Sequence, residues 1–376
     1  MPAELEDAAA ALERIWRAHV RPLVPDRLID VHAHLGEDAS DGSSLDLAGL
    51  LASMEAGSVA RTCAFPFQSP RGTGYAAANA EVLAAAAAGG GRVTAFCRSE
   101  PGERFLPELT SALDAGACGI KLHTSLPGFD FSHPALDAAF ALAAERGVPM
   151  LFHTGRAVPP LARDLAGLLE RNPGAQVVLA HCAIADLHGT TALRHPNIRF
   201  DTSLWNALDV RTLLSEAAPE QVVYGSDAPY YTPIGTQAKL FLQLGALGAS
   251  EEQRRDAAER SAGRLLAGEP CERLSEPLGA GVPLPSLARL RAHEYLVMTV
   301  PLVWQQMPDR IGLLALARQA LGTGEDERCE AALELIALAE RTWPYELEHG
   351  DRREILTVSW LTFRLIELAD ALVMAD

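Results

Sequence analysis

Short apolar runs alternate with longer stretches of helical periodicity between residues 26 and 268. Eight runs have the length and composition of buried strands: LIDVHAH, RTCAFPF, RVTAFC, GIKLH, VPMLFH, QVVLAH, NIRFD and QVVYGSD. The first seven precede segments with helix-start residues or amphipathic spacing, and two more helices are expected at 236–247 and 251–266. Eight strand and helix units predict an α/β protein with a (β/α)8 TIM barrel, although an open doubly wound sheet uses the same local signals.

The segments on either side of this pattern have a different character. Residues 1–25 are expected to form an N-terminal helical extension. Residues 269–376 begin with a linker rich in glycine and proline and continue with four apolar helical stretches, which predict a C-terminal all-helical domain. The apolar faces of these helices exceed what a small bundle needs to hide. Homodimerisation, docking on the barrel and partner binding are therefore open alternatives to a self-contained bundle.

Polar side chains stand where the apolar runs end. The first run ends in a His-x-His pair, and the residues that close this and later runs are His32, His34, His123, His153, His181 and Asp227. Strict alternation along the first strand would place Asp30 on the same face as the two histidines. The C-terminal ends of barrel strands meet at one face, where this fold places its active sites, whereas an open sheet would spread the same residues along a line. The strand ends therefore favour the barrel.

Convergent imidazoles and a carboxylate are the ligands that a transition metal requires. A single histidine at a strand end is more often a hydrogen-bonded core residue than a ligand. Five histidines and one aspartate at equivalent positions are harder to explain separately, because without a cation their lone pairs would remain unsatisfied. The pattern predicts a divalent metal site. We expect Zn²⁺, with Mn²⁺, Fe²⁺ or Co²⁺ as alternatives, since nitrogen and carboxylate ligands discriminate weakly among these ions.

The ordered motifs DVHAH, GIKLH, LFHTG, VVLAHC and VYGSDAP resemble the amidohydrolase superfamily. The likeness is to its amidohydrolase-related branch, which includes TIM-barrel metal-dependent hydrolases and aminocarboxymuconate semialdehyde decarboxylase-like enzymes, and it covers about residues 26–268. The metal ligands that the resemblance implies are His32, His34, His153 and Asp227. It also implies that His181 either orients and activates a water at the metal or binds a second metal. His181 and Asp227 would be the catalytic groups that hold and move protons.

Several further residues near the strand ends are candidates for a second metal or for the substrate. Many binuclear members of the superfamily bridge their metals with a carboxylated lysine or a glutamate from strand four, where this chain has Lys121 and His123. Because Lys121 lies two residues deeper, we expect His123 to reach the ligand space and Lys121 to lie beneath it, which favours one metal. A buried ion pair with Asp30 is the structural alternative for Lys121. The candidates for substrate contacts are Arg98, Arg156, Trp205, Tyr230 and Tyr231.

Composition narrows the classes of partner. The chain has 376 residues, of which 48% are hydrophobic and 22% charged, as expected of a globular protein with a sizeable core. A formal net charge of −17 without a basic patch argues against binding to nucleic acid or to anionic membranes. The acidic N-terminus lacks the order of a signal peptide, so we expect a cytoplasmic protein. Six cysteines without Cys-x-x-Cys spacing are expected to be reduced and structural.

Three functions from different classes remain open. The first is an amidohydrolase-type, metal-dependent hydrolase that acts on an amide, lactone or ester bond of a small molecule through a metal-activated water. The second is a metal-dependent non-oxidative decarboxylase of a small carboxylic acid. The third is a catalytically silent barrel whose helical tail binds a partner, and the complete ligand set makes it the weakest. The absence of an arginine clamp in the loop after strand one favours hydrolysis over decarboxylation.

Overall fold

The computed structural model describes residues 3–155, 162–185, 194–204, 206–322, 326–350 and 360–376. Its strands form a barrel of eight parallel positions, with the third position split into two short strands at Phe96. The strands are β1 (Ile29–Glu37), β2 (Ser44–Leu45), β3 (Arg61–Pro66), β4 (Val93–Ala95), β5 (Cys97–Arg98), β6 (Ile120–His123), β7 (Pro149–His153), β8 (Gln176–Leu179), β9 (Ile198–Asp201) and β10 (Val222–Val223). The short β2 pairs antiparallel with the end of β1 and lies outside the barrel count.

Hydrogen bonds between the first and last strand positions close the barrel. The N–H of Asp227 donates to the carbonyl of His32 at 2.7 Å, and the N–H of His34 donates to the carbonyl of Ala228 at 2.8 Å. Ala33 and Ala228 form a parallel bridge at the same place. An open doubly wound sheet would leave these two edges apart. The predicted TIM barrel is therefore confirmed.

A β-bulge interrupts the first strand, which the alternation rule did not anticipate. The register between β1 and β3 shifts between Asp30 and Ala33. Ile29 and Val31 pack in the barrel interior with Phe65, whereas Ala33 belongs to the layer between the strands and the surrounding helices. An extra residue in one strand reverses which side chains face inward beyond it.

The bulge separates Asp30 from the two histidines that follow it. The Asp30 carboxylate accepts hydrogen bonds from the backbone N–H of His32 at 3.0 Å and of Ser226 at 2.9 Å, and also from the Ser226 hydroxyl. The prediction that Asp30 projects beside His32 and His34 is therefore wrong. Its carboxylate instead joins the first strand to the segment that follows the eighth.

Helices cover the outside of the barrel in the expected alternation. Those before and around the barrel are α1 (Ala3–His19), α2 (Leu47–Ala56), α3 (Ala76–Ala88), α4 (Phe105–Asp114), α5 (Ala135–Arg146), α6 (Ala162–Arg171), α7 (Ala207–Glu216), α8 (Pro233–Ala246), α9 (Glu251–Arg255) and α10 (Ser261–Leu266). The side chain of Thr232 caps α8 by accepting a hydrogen bond from the N–H of Gly235 at 3.1 Å, with Pro233 in the first turn. The two helices expected after the eighth strand are thus present, the second as α9, a π-helical turn at Asp256–Arg260, and α10.

The C-terminal part of the chain is helical and packs on the barrel. Its helices are α11 (Leu287–Trp304), α12 (Leu313–Leu321), α13 (Glu327–His349) and α14 (Leu361–Val373). Apolar residues of α14 belong to the same continuous core as those of the barrel helices, and α14 packs directly on α8. A fully buried ion pair between Lys239 of α8 and Glu367 of α14 joins the two helices. Docking on the barrel, one of the alternatives left open above, is the arrangement observed.

The N-terminal helix and the predicted linker also lie against their neighbours. Helix α1 packs on α13 and α14, with an ion pair between Arg14 and Glu334. The segment after α10 lies along the barrel, where Glu220 accepts hydrogen bonds from the side chains of Arg273 and Ser275. In the ranges that the structure describes, no helix combines the length and apolar character that crossing a membrane requires.

Candidate active site

Three of the predicted ligands converge at the carboxyl ends of the first and eighth strands. His32, His34 and Asp227 are buried, and each offers one ligand atom within 4.8 Å of the other two. The Asp227 Oδ1 atom lies 3.0 Å from His32 Nε2 and 3.1 Å from His34 Nε2. One carboxylate oxygen thus faces two imidazole nitrogens from a different part of the chain.

The hydrogen bonds around these three residues fit a divalent cation. His32 Nδ1 lies 2.8 Å from Asp201 Oδ2, so a neutral His32 carries its proton on Nδ1 and presents a lone pair at Nε2. That lone pair faces the Asp227 oxygen, and two acceptors at 3.0 Å repel each other unless a proton or a cation lies between them. In His34, the Nδ1 atom is buried without a hydrogen-bond partner among the described residues. Two imidazoles and a carboxylate are a donor set that zinc and similar ions accept.

Burial and charge keep His34 and Asp227 in the forms that bind a metal. Burial lowers the pKa of His34 to about 3, although Asp227 acts in the opposite direction. Burial alone would raise the pKa of the Asp227 carboxyl, but His32 and His34 hold it well below its ordinary value. For His32, burial and Lys121 lower the pKa, and the carboxylates of Asp227 and Asp201 more than offset them, so the net shift is upward. At neutral pH, Asp227 is an anion and His34 a neutral imidazole.

Five imidazoles form a continuous row across the mouth of the barrel. The ring centroids of successive members lie 5.6, 5.1, 4.7 and 3.9 Å apart in the order His34, His32, His181, His153 and His123. The structure therefore brings together all five histidines that the strand ends indicated. His153 lies outside the group of three ligands, and its Nδ1 atom faces His181 Nε2 at 3.1 Å.

His181 lies in a turn with an uncommon backbone conformation. His181, Cys182 and Ala183 have φ angles of 55°, 59° and 46°, in the left-handed region that non-glycine residues seldom adopt. The adjacent Gly155 has a φ of +100°, and a Cβ atom there would lie 2.8 Å from His181 Cβ. Such strain persists only where surrounding contacts enforce it, and it concentrates at functional sites. Here the Asp201 carboxylate accepts a hydrogen bond from the His181 N–H at 3.1 Å.

Lys121 reaches further toward the candidate ligands than its depth on the strand predicted. The long side chain of Lys121 places Nζ 3.4 Å from His32 Nε2 and 4.6 Å from the centroid of the Phe65 ring. His123 instead stacks on His153. A lysine side chain reaches past the level of its own Cα atom, so Lys121 Nζ approaches His32, but Lys121 stays fully buried, whereas His123 lines the cavity. Burial lowers the pKa of Lys121 to about 7.

A cavity of about 420 Å³ opens beside this row of histidines. Its lining includes His34, His181, Asp227, Arg98, Tyr230 and Trp304. Tyr231 also lines it, so three of the five residues predicted to contact a substrate face the cavity. The other two, Arg156 and Trp205, lie outside the described residues.

Arg98 and Tyr230 have defined positions in the cavity wall. The Arg98 guanidinium donates to the carbonyl of Pro66 at 3.2 Å and to the side chain of Gln68, and it lies 5.2 Å from the centre of the Tyr75 ring. It forms no ion pair with a carboxylate within the described part of the chain. Tyr230 packs edge-on against His34 with the ring centroids 5.3 Å apart. A buried cation and an aromatic ring therefore flank the candidate metal centre.

The sequence analysis did not select Asp201 and Ser203, two residues that hydrogen-bond to histidines of the site. Asp201 bonds to His32 and His181, and Ser203 lies 3.2 Å from the Nδ1 atom of each of these two rings. Asp201 ends the seventh apolar run, NIRFD, so the same strand-end rule that selected the histidines would have found it. Trp304 gave no such signal, because it reaches the cavity from a helix outside the barrel.

The fold and the site define a TIM-barrel protein whose His-His-Asp group can hold a metal. The family model for amidohydrolases matches residues 29–267. Because this match spans more than half of the chain, the protein belongs to the amidohydrolase family, as its motifs predicted.

The individual relatives share limited sequence identity with the chain. The chain is 27% identical over 135 residues to the 3'-5' ssDNA/RNA exonuclease TatD of Pantoea ananatis (strain LMG 20103), which is 35% of this chain and 51% of that protein. The TatD exonuclease of Pantoea vagans (strain C9-1) gives the same identity and coverage. The chain thus spans about half the length of the curated relatives it matches. Among solved structures, an uncharacterized TIM-barrel protein from Bordetella bronchiseptica aligns with a TM-score of 0.50 and 16% identity, covering 64% of this chain and 99% of the other.

The contact between Asp201 and His32 leads to a prediction about metal affinity. Changing Asp201→Asn removes the carboxylate that fixes the His32 tautomer, so we expect the affinity for Zn²⁺ to fall about 10- to 100-fold while the barrel remains folded. Competition with a chromogenic chelator measures this affinity. Asp38→Asn is the matched control, since Asp38 lines the same cavity but bonds to Ser40, Gln68 and Tyr230 rather than to a histidine. Equal affinities in the two variants would contradict an orienting role for Asp201.

Proposed function

We propose that the protein is a metal-dependent hydrolase that acts on an amide, lactone or ester bond of a small molecule. The observation that carries this proposal is the buried group of His32, His34 and Asp227 beside a cavity of about 420 Å³. A cavity of this size suits a small molecule. The net charge of −17 disfavours a polyanionic substrate such as nucleic acid. Membership of the amidohydrolase family supports the reaction class.

We assign the metal to His32, His34 and Asp227, and we retain His153 as the fourth ligand that the family resemblance implies, although it lies outside this group in the structure. Zn²⁺ is the first choice, ahead of Mn²⁺, Fe²⁺ and Co²⁺. When bound, such an ion supplies Lewis acidity and lowers the pKa of water in its coordination shell. We propose one ion rather than two, because the described residues offer one group of three ligand atoms within 4.8 Å of one another.

The hydrogen bonds of His181 suit it to move a proton. Its Nδ1 atom lies against the carbonyl oxygen of Ser203, so the neutral ring carries its proton on Nδ1 and has a lone pair at Nε2, which faces His153 Nδ1 at 3.1 Å. Burial lowers the pKa of His181, which keeps the ring neutral and able to accept a proton at Nε2. His181 would take a proton from the attacking water and return it to the leaving group. Asp227 is the second group in this site that can accept a proton.

Arg98 supports a substrate that carries a carboxylate. Its guanidinium is buried, lines the cavity and has only neutral partners at hydrogen-bond distance within the described ranges. A substrate carboxylate would pair with the Arg98 guanidinium through two parallel hydrogen bonds. This contact is compatible with hydrolysis of a lactone or an amide that also carries a carboxylate. It also keeps non-oxidative decarboxylation of a small carboxylic acid as the second candidate function.

The role of His181 can be separated from metal binding by substitution. His181→Asn is expected to retain most of the metal while turnover falls by about 10² to 10⁴, the usual scale for a positioned acid or base. Asparagine tolerates the left-handed backbone at this position, so the turn should persist. His349→Asn, a change of an exposed histidine at the end of α13, is the control. Loss of metal in parallel with activity would instead show that His181 is a ligand.

Isotope incorporation distinguishes the two candidate reactions. A panel of amides, lactones, esters and aromatic or unsaturated carboxylic acids supplies the substrate. Hydrolysis breaks the bond between the acyl carbon and its leaving group and forms a new bond from that carbon to a solvent oxygen. Turnover in ¹⁸O-labelled water should therefore label the new carboxylate. Release of carbon dioxide together with deuterium on carbon in D₂O would overturn the hydrolase assignment in favour of the decarboxylase.

A further inference from the structure

One part of the cavity wall comes from outside the segment that matches the amidohydrolase family. Trp304 is the last residue of α11, beyond the matched range 29–267, and it lines the cavity together with Leu204 and Tyr231. The barrel thus provides the candidate metal ligands, and the C-terminal helices provide part of the surface that a substrate would meet.

The Trp304 ring packs against two aromatic side chains, Tyr231 and Phe363. Its centroid lies 5.8 Å from that of Tyr231 and 6.2 Å from that of Phe363 on α14, the latter with an interplanar angle of 23°. Helix α14 is in turn fixed to α8 by the buried pair of Lys239 and Glu367, and Lys239 Nζ lies 5.4 Å from the centre of the Tyr231 ring. These contacts place Trp304 in an aromatic wall that it forms with Tyr231 and Phe363.

This wall adjoins the candidate metal centre. Tyr231 follows Tyr230, which packs against His34, and the N–H of Tyr230 bonds to the carbonyl of Asp227 at 2.8 Å. Tyr230 and Tyr231 thus link the Trp304 ring to two of the predicted ligands. Because His34, Asp227 and Trp304 line one cavity, a substrate held at the ligands can present an adjacent group to Trp304. Tryptophan and tyrosine faces favour aromatic or extended apolar groups.

We infer that Trp304 is a specificity-determining residue that selects substrates with an aromatic or extended apolar group beside the scissile bond. The inference rests on the proposed hydrolase function for its kinetic test, and it deepens that function by naming the substrate class. It also assigns a role to the C-terminal helices, which complete the substrate cavity in addition to covering the barrel.

The kinetic test compares substrates that differ only in this group. Trp304→Ala should lower kcat/KM for a benzoyl ester or amide about 10- to 100-fold, mainly through KM, and leave the acetyl analogue within about threefold. Trp304→Phe should restore most of the preference. Met298→Ala, a change of a half-exposed residue on the same helix, is the control, and metal content is measured in every variant. Equal losses for the benzoyl and acetyl substrates would overturn the inference.

A binding measurement tests the same residue without turnover. The chain contains five tryptophans, so 5-fluorotryptophan labelling gives a ¹⁹F NMR spectrum in which Trp304→Phe identifies the Trp304 signal by its loss. Benzoate should shift this signal saturably, and acetate should not. If no substrate in the panel reacts but benzoate still shifts the signal, the preference of Trp304 for an aromatic ligand stands and the hydrolase proposal fails. If benzoate leaves the Trp304 signal unmoved, the inference fails whether or not the enzyme is active.

Discussion

The seam between the first and eighth barrel strands holds the candidate site together. His34 and Asp227 are 193 residues apart in the chain, yet Asp227 Oδ1 lies 3.1 Å from His34 Nε2. Backbone hydrogen bonds across the seam, and the Asp30 carboxylate that bonds to both sides of it, set this separation. The bulge in β1 turns His32 and His34 inward at this level. Without closure at this seam, the ligands would lie on opposite edges of a sheet.

A second layer of hydrogen bonds orients the rings that the seam brings together. Asp201 accepts from His32 Nδ1 and from the backbone of His181, and the Ser203 carbonyl fixes the His181 tautomer. Burial would raise the pKa of Asp201, but the charge and hydrogen bond of His32 lower it to about 2, so this carboxyl is an anion at neutral pH. The ligand nitrogens are therefore aimed in advance, which reduces the reorganisation that metal binding would require.

The sequence predicted the features that depend on local pattern. Eight apolar runs and the polar residues at their ends were sufficient for the barrel and for the row of histidines, because parallel strands in this fold end at one face. It failed where a single added residue decides the outcome, as at Asp30 beside the bulge, and it did not anticipate how far the long side chain of Lys121 reaches toward His32. Trp304 could not be placed, since its position depends on how the C-terminal helices dock. That docking is set by tertiary contacts such as the Lys239 and Glu367 pair, which no local pattern encodes.

We propose that His32, His34 and Asp227 bind a divalent transition metal. Elemental analysis of protein purified without chelators, combined with native mass spectrometry, tests it most directly. We predict about one ion per chain in the natural sequence and its loss in His34→Ala, with native-like circular dichroism in both. Absence of metal, with no uptake when Zn²⁺ or Mn²⁺ is added, would contradict the site. An unchanged metal content in His34→Ala would place the ion elsewhere and contradict the ligand assignment.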